Sequence, residues 1–195
     1  RHLFAPEEKR GEAYEDVTIP LDDKGHTISQ PSLVALMTQF LKLKTGQRVL
    51  EGGTGAGYQA AILAKMVGEK GQVHTIEIDK GLSQKAEKRL KRWGYHIYFK
   101  VGNGYWGWQK AGPFDAIILT CAPEEIPQRL LEQLKEGGRM VLPRGKKGQT
   151  QELVVLKKTK DGIEEVVVGI VRFVPLIKEE EQVVSQEEPV SFKII

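Results

Sequence analysis

A glycine-rich stretch, EGGTGAGYQ over residues 51–59, has the residue types best suited to hold a ligand. Gly53, Gly55 and Gly57 follow a short apolar run, and glycines let the backbone adopt positive φ angles and approach a ligand closely. The helical pattern after them would present free backbone N–H groups to the same place. These features predict a ligand-binding turn between a strand and a helix, although a tight turn alone would also explain isolated glycines.

The spacing of these glycines and the acid before them distinguish between two kinds of nucleotide ligand. A dinucleotide-binding loop has the pattern G-x-G-x-x-G, which from Gly53 requires glycine at the position of Tyr58, so this chain does not fit an NAD-dependent dehydrogenase. Glu51 would repel a phosphate and suits a ligand with a cationic centre or an ammonium group. S-adenosylmethionine has both groups. Glu77 lies 24 residues after Gly53, near the offset of about 20 residues at which a carboxylate binds ribose hydroxyls. The pattern therefore predicts S-adenosylmethionine, with the adenine edge near Asn103.

The elements that would hold these residues alternate between strands and helices. The first predicted helix begins near Pro31 and ends before Gly46. The predicted strands after it are residues 48–52, 72–78, 96–102, 114–120 and 139–145, and the predicted helices are residues 58–68, 82–94 and 124–138. This alternation predicts a mostly parallel sheet with helices on both faces. Asp161-Gly162 lies between two β-rich runs and predicts that the sheet ends with an antiparallel hairpin.

Composition limits the class of protein. The 195 residues suit one domain over residues 1–176, with an irregular arm over about residues 1–26 and a polar tail over residues 177–195. A net charge of +3, with the positive residues interleaved among 26 acidic ones, argues against nucleic-acid binding. No apolar run approaches the ~20 residues that cross a membrane. The single cysteine, Cys121, fits a reducing compartment, and the four histidines have no spacing typical of a metal site. We expect a cytoplasmic monomer without a metal.

Five segments of the chain have a distinctive sequence, order and spacing. They are TISQP, VLEGGTGAGYQAAILAKMVG, HTIEI, FDAIILTCAPEEIPQRLLEQLKEGGRMVLPRG and VRFVPL, between about Tyr14 and Leu176. These segments resemble those of the protein L-isoaspartate (D-aspartate) O-methyltransferases. The resemblance implies an α/β, Rossmann-like, S-adenosylmethionine-dependent methyltransferase fold, with a seven-stranded sheet and a C-terminal antiparallel hairpin. It also implies methyl transfer to the α-carboxylate of L-isoaspartyl residues in damaged proteins, a repair reaction that leaves S-adenosyl-L-homocysteine.

The resemblance also assigns site residues. It places Ser29 at the junction of cofactor and acceptor, where its hydroxyl would hold one carboxylate oxygen in line with the methyl group. A carboxylate is ionised at pH 7 and needs no general base, so alignment is the main task of the enzyme. Ser29 is also expected to be the N-cap of the helix that begins near Pro31. The predicted acceptor contacts are Thr27, Ile28, Val174, Pro175 and Leu176. The predicted cofactor contacts are Glu51, Gly53, Thr54, Gly55, Gly57, Tyr58, Gln59, Glu77, Ile78, Asn103 and Gly104.

Two positions depart from the pattern of the family. Asn103 replaces the usual aspartate and keeps a hydrogen-bond acceptor without the charge, and His26 replaces the usual glutamine in an acidic stretch, DDKGH. Two alternatives follow: a member that methylates another carboxylate, or an S-adenosylmethionine-binding protein without catalysis. For Cys121, a buried apolar filler is favoured over a nucleophile.

Overall fold

The computed structural model describes residues 1–178, so most of the tail predicted over residues 177–195 lies outside the described residues. The strands are β1 (Ile19–Pro20), β2 (Thr27–Ile28), β3 (Arg48–Gly52), β4 (Gln72–Glu77), β5 (Ile97–Val101), β6 (Phe114–Leu119), β7 (Leu134–Arg144), β8 (Gln151–Thr159) and β9 (Gly162–Val171). The helices are α1 (Pro31–Leu41), α2 (Tyr58–Val67), α3 (Lys80–Arg92) and α4 (Gln128–Glu132), with 3₁₀ turns at Glu7–Tyr14, Gly104–Trp106 and Gln109–Ala111. Among residues 1–178, no helix has the length and apolar character needed to cross a membrane.

The central sheet has seven strands in the order β5-β4-β3-β6-β7-β8-β9. The pairs from β5 to β7 are parallel, whereas β8 pairs antiparallel with both β7 and β9. This topology confirms the predicted mostly parallel sheet with its antiparallel end. Strand order reverses beside β3, which lies between β4 and β6, and ligands of such sheets bind beyond the carboxyl ends of the strands at this point.

Both faces of the sheet are covered, which explains why successive apolar residues of its central strands are buried. Val49 and Ile118 face one core cluster and Leu50 and Ile117 face the other, so neighbouring residues of one strand are buried on opposite sides. All four side chains are at most 1% exposed. This double burial fixes the register of β3 against β6, and with it the position of the loops that follow these strands.

The helix predicted over residues 124–138 is much shorter than expected. It occupies only Gln128–Glu132, and strand β7 begins at Leu134. The carbonyl of Gln133 accepts the N–H of Phe114 at 2.8 Å, which draws the chain into the sheet. Lys158 Nζ donates to the carbonyls of Leu131 and Leu134, at 2.7 Å and 2.8 Å. A lysine from a distant strand therefore satisfies carbonyls that a longer helix would have bonded itself.

The N-terminal arm is more ordered than the sequence predicts. Its short helix is the 3₁₀ turn Glu7–Tyr14, but the antiparallel pair of β1 and β2 was not predicted, because two-residue strands have no detectable alternation. Ala13 and Ile19 are completely buried, so the arm packs on the core. At the other end of the sheet, Thr159 pairs with Gly162, so the hairpin turn is Lys160-Asp161 rather than Asp161-Gly162.

Candidate active site

A cavity of about 440 Å³ opens at the carboxyl ends of the parallel strands. Its wall includes Gly53 after β3, Ile78 after β4, Asn103 after β5 and Thr120 after β6. All predicted cofactor and acceptor residues line this cavity, with the exception of Glu51 and Gly57. The sheet therefore brings the two predicted groups of residues to one place.

The three glycines of the loop have different tasks. Each has a positive φ, of 97° at Gly53, 54° at Gly55 and 85° at Gly57. A Cβ at Gly53 would collide with Thr120 Oγ1, which donates to the Gly53 carbonyl at 2.7 Å. A Cβ at Gly57 would instead meet Leu90 Cδ1 at 2.7 Å. Gly57 therefore allows helices α2 and α3 to pack closely, whereas Gly53 and Gly55 expose backbone to the cavity.

Replacing Gly53 with alanine is expected to lower the free energy of unfolding by about 2–5 kcal/mol, because left-handed strain and a steric collision act together. Binding of S-adenosyl-L-homocysteine should be lost with it. Gly94→Ala is the matched control, since Gly94 has a φ of 74° but open space around its Cβ position. Urea unfolding of both variants measures the difference. Equal destabilisation of Gly53→Ala and Gly94→Ala would contradict the expected collision with Thr120.

Glu77, the last residue of β4, has a fixed carboxylate at the cavity wall. It is 6% exposed, and its two oxygens accept the N–H groups of Gly55 at 3.0 Å and of Asp79 at 3.1 Å. Each carboxylate oxygen retains acceptor capacity beyond these bonds. The carboxylate can therefore accept hydrogen bonds from a pair of hydroxyl groups, such as those of a ribose, without moving.

Glu51 does not line the cavity, which differs from the expected direct contact with a cationic ligand. Its carboxyl group is completely buried beneath the loop. Thr75 Oγ1 donates to Oε2 at 2.5 Å and is itself 2.6 Å from Thr54 Oγ1, whereas Oε1 has no hydrogen-bond partner among the described residues. Burial raises the pKa of Glu51 to about 8, against the opposing effect of the Thr75 hydrogen bond. The group is therefore mostly neutral at pH 7, and Thr75 and Thr54 connect it to the cavity wall.

Asn103 connects the predicted adenine end to the segment after β9. Its Oδ1 accepts the N–H of Tyr105 at 2.9 Å, and its Nδ2 donates to the carbonyl of Ile177 at 2.8 Å. An aspartate could accept the first bond but could not donate the second. Asn103 therefore holds both a 3₁₀ turn and the chain near Ile177 against the cavity.

The predicted acceptor residues lie on two segments that face the same cavity. Ala122 donates its N–H to the Val174 carbonyl and accepts the N–H of Leu176, both at 2.7 Å, which fixes the Val174–Leu176 segment beside β6. Ser29 follows β2. The N-cap of α1 is Gln30, not Ser29 as expected, because the helix begins at Pro31 and the N-cap is the residue directly before it. The Ser29 hydroxyl has no hydrogen bond to another described residue, so it remains available to a ligand.

Other cavity residues were not among the predicted contacts. They are Lys24, Gly25, His26, Val34, Met37, Ala56, Ile76, Leu82, Thr120, Cys121, Lys147 and Ile177. The edge rule for parallel sheets could have found Thr120 and Cys121, since both directly follow β6. The Cys121 thiol is buried, and burial raises its pKa to about 12, which rules against a thiolate nucleophile at neutral pH. Within the described range, no group of three or more His, Cys, Asp or Glu residues is placed to hold a metal ion.

Comparisons with known proteins point to one family. Residues 1–181 match the family described as Protein-L-isoaspartate(D-aspartate) O-methyltransferase. A protein-L-isoaspartate O-methyltransferase of Opitutus terrae is 47% identical over 180 residues, which are 92% of this chain and 76% of that protein.

Solved structures agree with this match. A protein-L-isoaspartate O-methyltransferase structure has a TM-score of 0.81 at 34% identity, over 90% of this chain and 57% of that one. A Plasmodium falciparum protein assigned to the same class, in complex with S-adenosyl-L-homocysteine, has a TM-score of 0.79 at 27% identity, over 92% of this chain and 86% of that one. The resemblance stated from the sequence segments is confirmed.

Proposed function

The chain belongs to the protein-L-isoaspartate(D-aspartate) O-methyltransferase family, and on that premise we propose that it methylates the α-carboxylate of L-isoaspartyl residues in damaged proteins. The methyl donor is S-adenosylmethionine. The observation that carries this proposal is the single cavity in which the glycine loop, Glu77 and Ser29 meet. One end of it suits the donor, and the other brings a free hydroxyl group to an acceptor carboxylate.

The cavity residues fit S-adenosylmethionine. A volume of about 440 Å³ lies within the range of small-ligand pockets. Gly53 and Gly55 leave room for the methionine part against bare backbone, the Glu77 carboxylate suits the ribose hydroxyls, and Asn103 faces the adenine end. The remaining proposed contacts to the cofactor are Thr54, Tyr58, Gln59, Ile78 and Gly104, while Glu51 and Gly57 support the loop from behind.

When bound, S-adenosylmethionine supplies a methyl group on a positively charged sulfur. The acceptor carboxylate is already ionised, so no side chain of the chain has to remove a proton. Ser29 Oγ donates a hydrogen bond to one carboxylate oxygen and leaves the other oxygen to form the new bond. The segments at Thr27–Ile28 and Val174–Leu176 hold the acceptor peptide on either side.

A matched pair of peptides tests the proposal. One contains L-isoaspartate and the other aspartate at the same position, and each is incubated with methyl-labelled S-adenosylmethionine. We expect base-labile label on the isoaspartyl peptide alone. Ser29→Ala should lower kcat by about 10- to 100-fold, the value of one hydrogen bond to a charged group, while the affinity for S-adenosyl-L-homocysteine stays unchanged.

Other outcomes of this assay favour other functions. Label on the aspartyl peptide would support methylation of a different carboxylate. Label on neither peptide, despite cofactor binding, would favour a binding protein without catalysis. Normal turnover by Ser29→Ala would contradict the role proposed for Ser29.

We further propose that the protein acts as a monomer in the cytoplasm, on proteins and not on nucleic acid or membranes. The free, buried Cys121 is compatible with a reducing compartment. The net charge of +3 is too small to favour nucleic acid. Sedimentation velocity at several protein concentrations, with and without DNA, tests the monomer and the absence of nucleic-acid binding.

A further inference from the structure

The guanidinium group of Arg1 binds two backbone carbonyls in the segment that carries Ser29. Arg1 Nη2 donates to the carbonyl of Ile28 at 3.2 Å and to that of Ser29 at 3.1 Å. These carbonyls belong to the two peptide groups that follow Ile28 and Ser29, so the guanidinium sets the orientation of the backbone on the C-terminal side of both residues. The position of the Ser29 side chain follows from that backbone.

The same guanidinium is anchored to the N-terminal arm. Its Nη1 donates to the carbonyls of Ala13 and Glu15, each at 3.2 Å, and its Nη2 donates to that of Val17 at 2.5 Å, so the two N–H groups of Nη2 are shared among three carbonyls. One planar group therefore joins the end of the 3₁₀ turn to the chain around Ser29. Arginine is suited to this task because its donors form a rigid fork, whereas lysine has one nitrogen.

Asp16 holds the following residues from the same arm. Its Oδ1 accepts the N–H of Ser32 at 2.9 Å, and its Oδ2 lies 3.5 Å from Gln30 Nε2. The side chain of Gln30, the N-cap residue, makes no capping bond, so Asp16 satisfies an N–H of the first turn of α1 in its place. The bond from Ser32 also lowers the pKa of the Asp16 carboxyl group, which keeps it ionised. The backbone is therefore held on both sides of the Ser29–Ser32 segment, by Arg1 at the Ser29 carbonyl and by Asp16 at the Ser32 N–H.

We propose that Arg1 and Asp16 are positioning residues for methyl transfer, because together they hold Ser29 at the place where the acceptor carboxylate meets the methyl group. This inference rests on the proposed function. The hydrogen bonds of the two side chains go to the arm and to residues 28–32, and Arg1 also interacts electrostatically with Tyr58 in the cavity wall. The glycine loop and Glu77 are held by other contacts, such as those of Thr120 and Asp79. Loss of Arg1 or Asp16 is therefore expected to impair turnover and to leave the cofactor end intact.

The test compares Arg1→Ala, Arg1→Lys and Asp16→Ala with the control Arg10→Ala, whose exposed side chain has only a loose ion pair with Glu7 at 3.8 Å. All are assayed with the isoaspartyl peptide at a temperature well below each melting temperature. We expect kcat to fall by about 10- to 100-fold in Arg1→Ala, the effect of a small misplacement of a reacting group. Arg1→Lys should recover part of the loss of kcat. In all variants the Kd of S-adenosyl-L-homocysteine should stay within about twofold of the wild-type value, whereas loss of a cofactor contact of about 1.4 kcal/mol would raise it tenfold.

A second measurement does not depend on activity. Hydrogen exchange of residues 27–33 should accelerate in Arg1→Ala and Asp16→Ala, with a smaller change over residues 53–59, which approach this segment at Gly55. If Arg1→Ala does not fold, Asp16→Ala decides the matter by the same two measurements. If the wild type is active and the Arg1 and Asp16 variants have the same kcat, this inference is wrong and the proposed function still stands. The inference is also wrong if the variants lose kcat and cofactor affinity to the same extent. An inactive wild type would instead contradict the proposed function, and exchange would still test the positioning of residues 27–33.

Discussion

Replacing Glu77 with alanine is expected to weaken the binding of S-adenosylmethionine by at least about 100-fold, because two hydrogen bonds to a carboxylate contribute about 1.5–3 kcal/mol each. The carboxylate is held in place by the N–H groups of Gly55 and Asp79, so it needs no rearrangement to bind the ribose. Its removal also leaves these two N–H groups without their acceptor. Titration calorimetry with S-adenosyl-L-homocysteine measures the loss, and melting temperatures show whether the variant is folded.

Two further variants make the Glu77 experiment specific. Glu77→Gln keeps the shape and one acceptor oxygen, so it should bind the cofactor more tightly than the alanine variant and less tightly than the wild type. Glu87→Ala removes a carboxylate of α3 that pairs with Lys91 along the helix, and the cofactor affinity of this variant should stay at the wild-type value. A Glu77→Ala affinity within a few fold of the wild type would exclude the ribose contact.

The parallel half of the sheet could be predicted closely because its strands are buried on both faces. The apolar run 116–119 in β6 is short and β-branched, as expected of a strand buried on both faces, and Gly112 and Pro113 mark the turn before it. The carboxyl-end rule predicts that Glu77 and Asn103 lie at one cavity, and both line it. At these positions the structure predicted from the local sequence is the one that the sheet requires.

The remaining features depend on partners that are distant in sequence. Where helix α4 ends, Lys158, more than twenty residues away, donates to the carbonyls of Leu131 in the helix and Leu134 in β7, and no local pattern contains these contacts. Lys147 reaches the cavity from the loop after β7, which is aligned with the site only once the sheet has formed. Its residue type and position next to the glycine loop predict that Glu51 contributes to the site. Its neutral state depends on complete burial, which cannot be predicted from its position in the sequence.

The second large effect concerns Glu51 and pH. In the unfolded chain Glu51 ionises near its ordinary pKa of 4.5, whereas burial in the folded chain raises the pKa to about 8. The unfolded state therefore releases this proton at lower pH than the folded state, and the free energy of unfolding falls as pH rises between these two values. We expect Glu51 to lower this free energy by about 3–4 kcal/mol between pH 5 and pH 8. Glu51→Gln cannot ionise and should not show this part of the decline.

Urea unfolding of the wild type and Glu51→Gln at pH 5, 6.5 and 8 measures the effect. The difference between their free energies of unfolding removes the contribution of the other titrating groups, which the two proteins share. The two proteins should be similar in stability at pH 5, and the variant should be more stable at pH 8. Glu69→Gln, at an exposed position, is the control and should follow the wild type at every pH. Identical pH dependence of wild type and Glu51→Gln would mean that Glu51 is ionised in the folded protein at neutral pH.

Adding the cofactor then tests whether Glu51 and the ligand are coupled. The ammonium group of a bound ligand favours the ionised form of a nearby carboxyl group, so it should lower the pKa of Glu51. Saturating S-adenosyl-L-homocysteine should therefore reduce the stability difference between the two proteins at pH 8 by more than it does at pH 5. An unchanged difference would show that the Thr75 and Thr54 hydroxyls separate Glu51 from the ligand electrostatically, and would restrict its role to supporting the glycine loop.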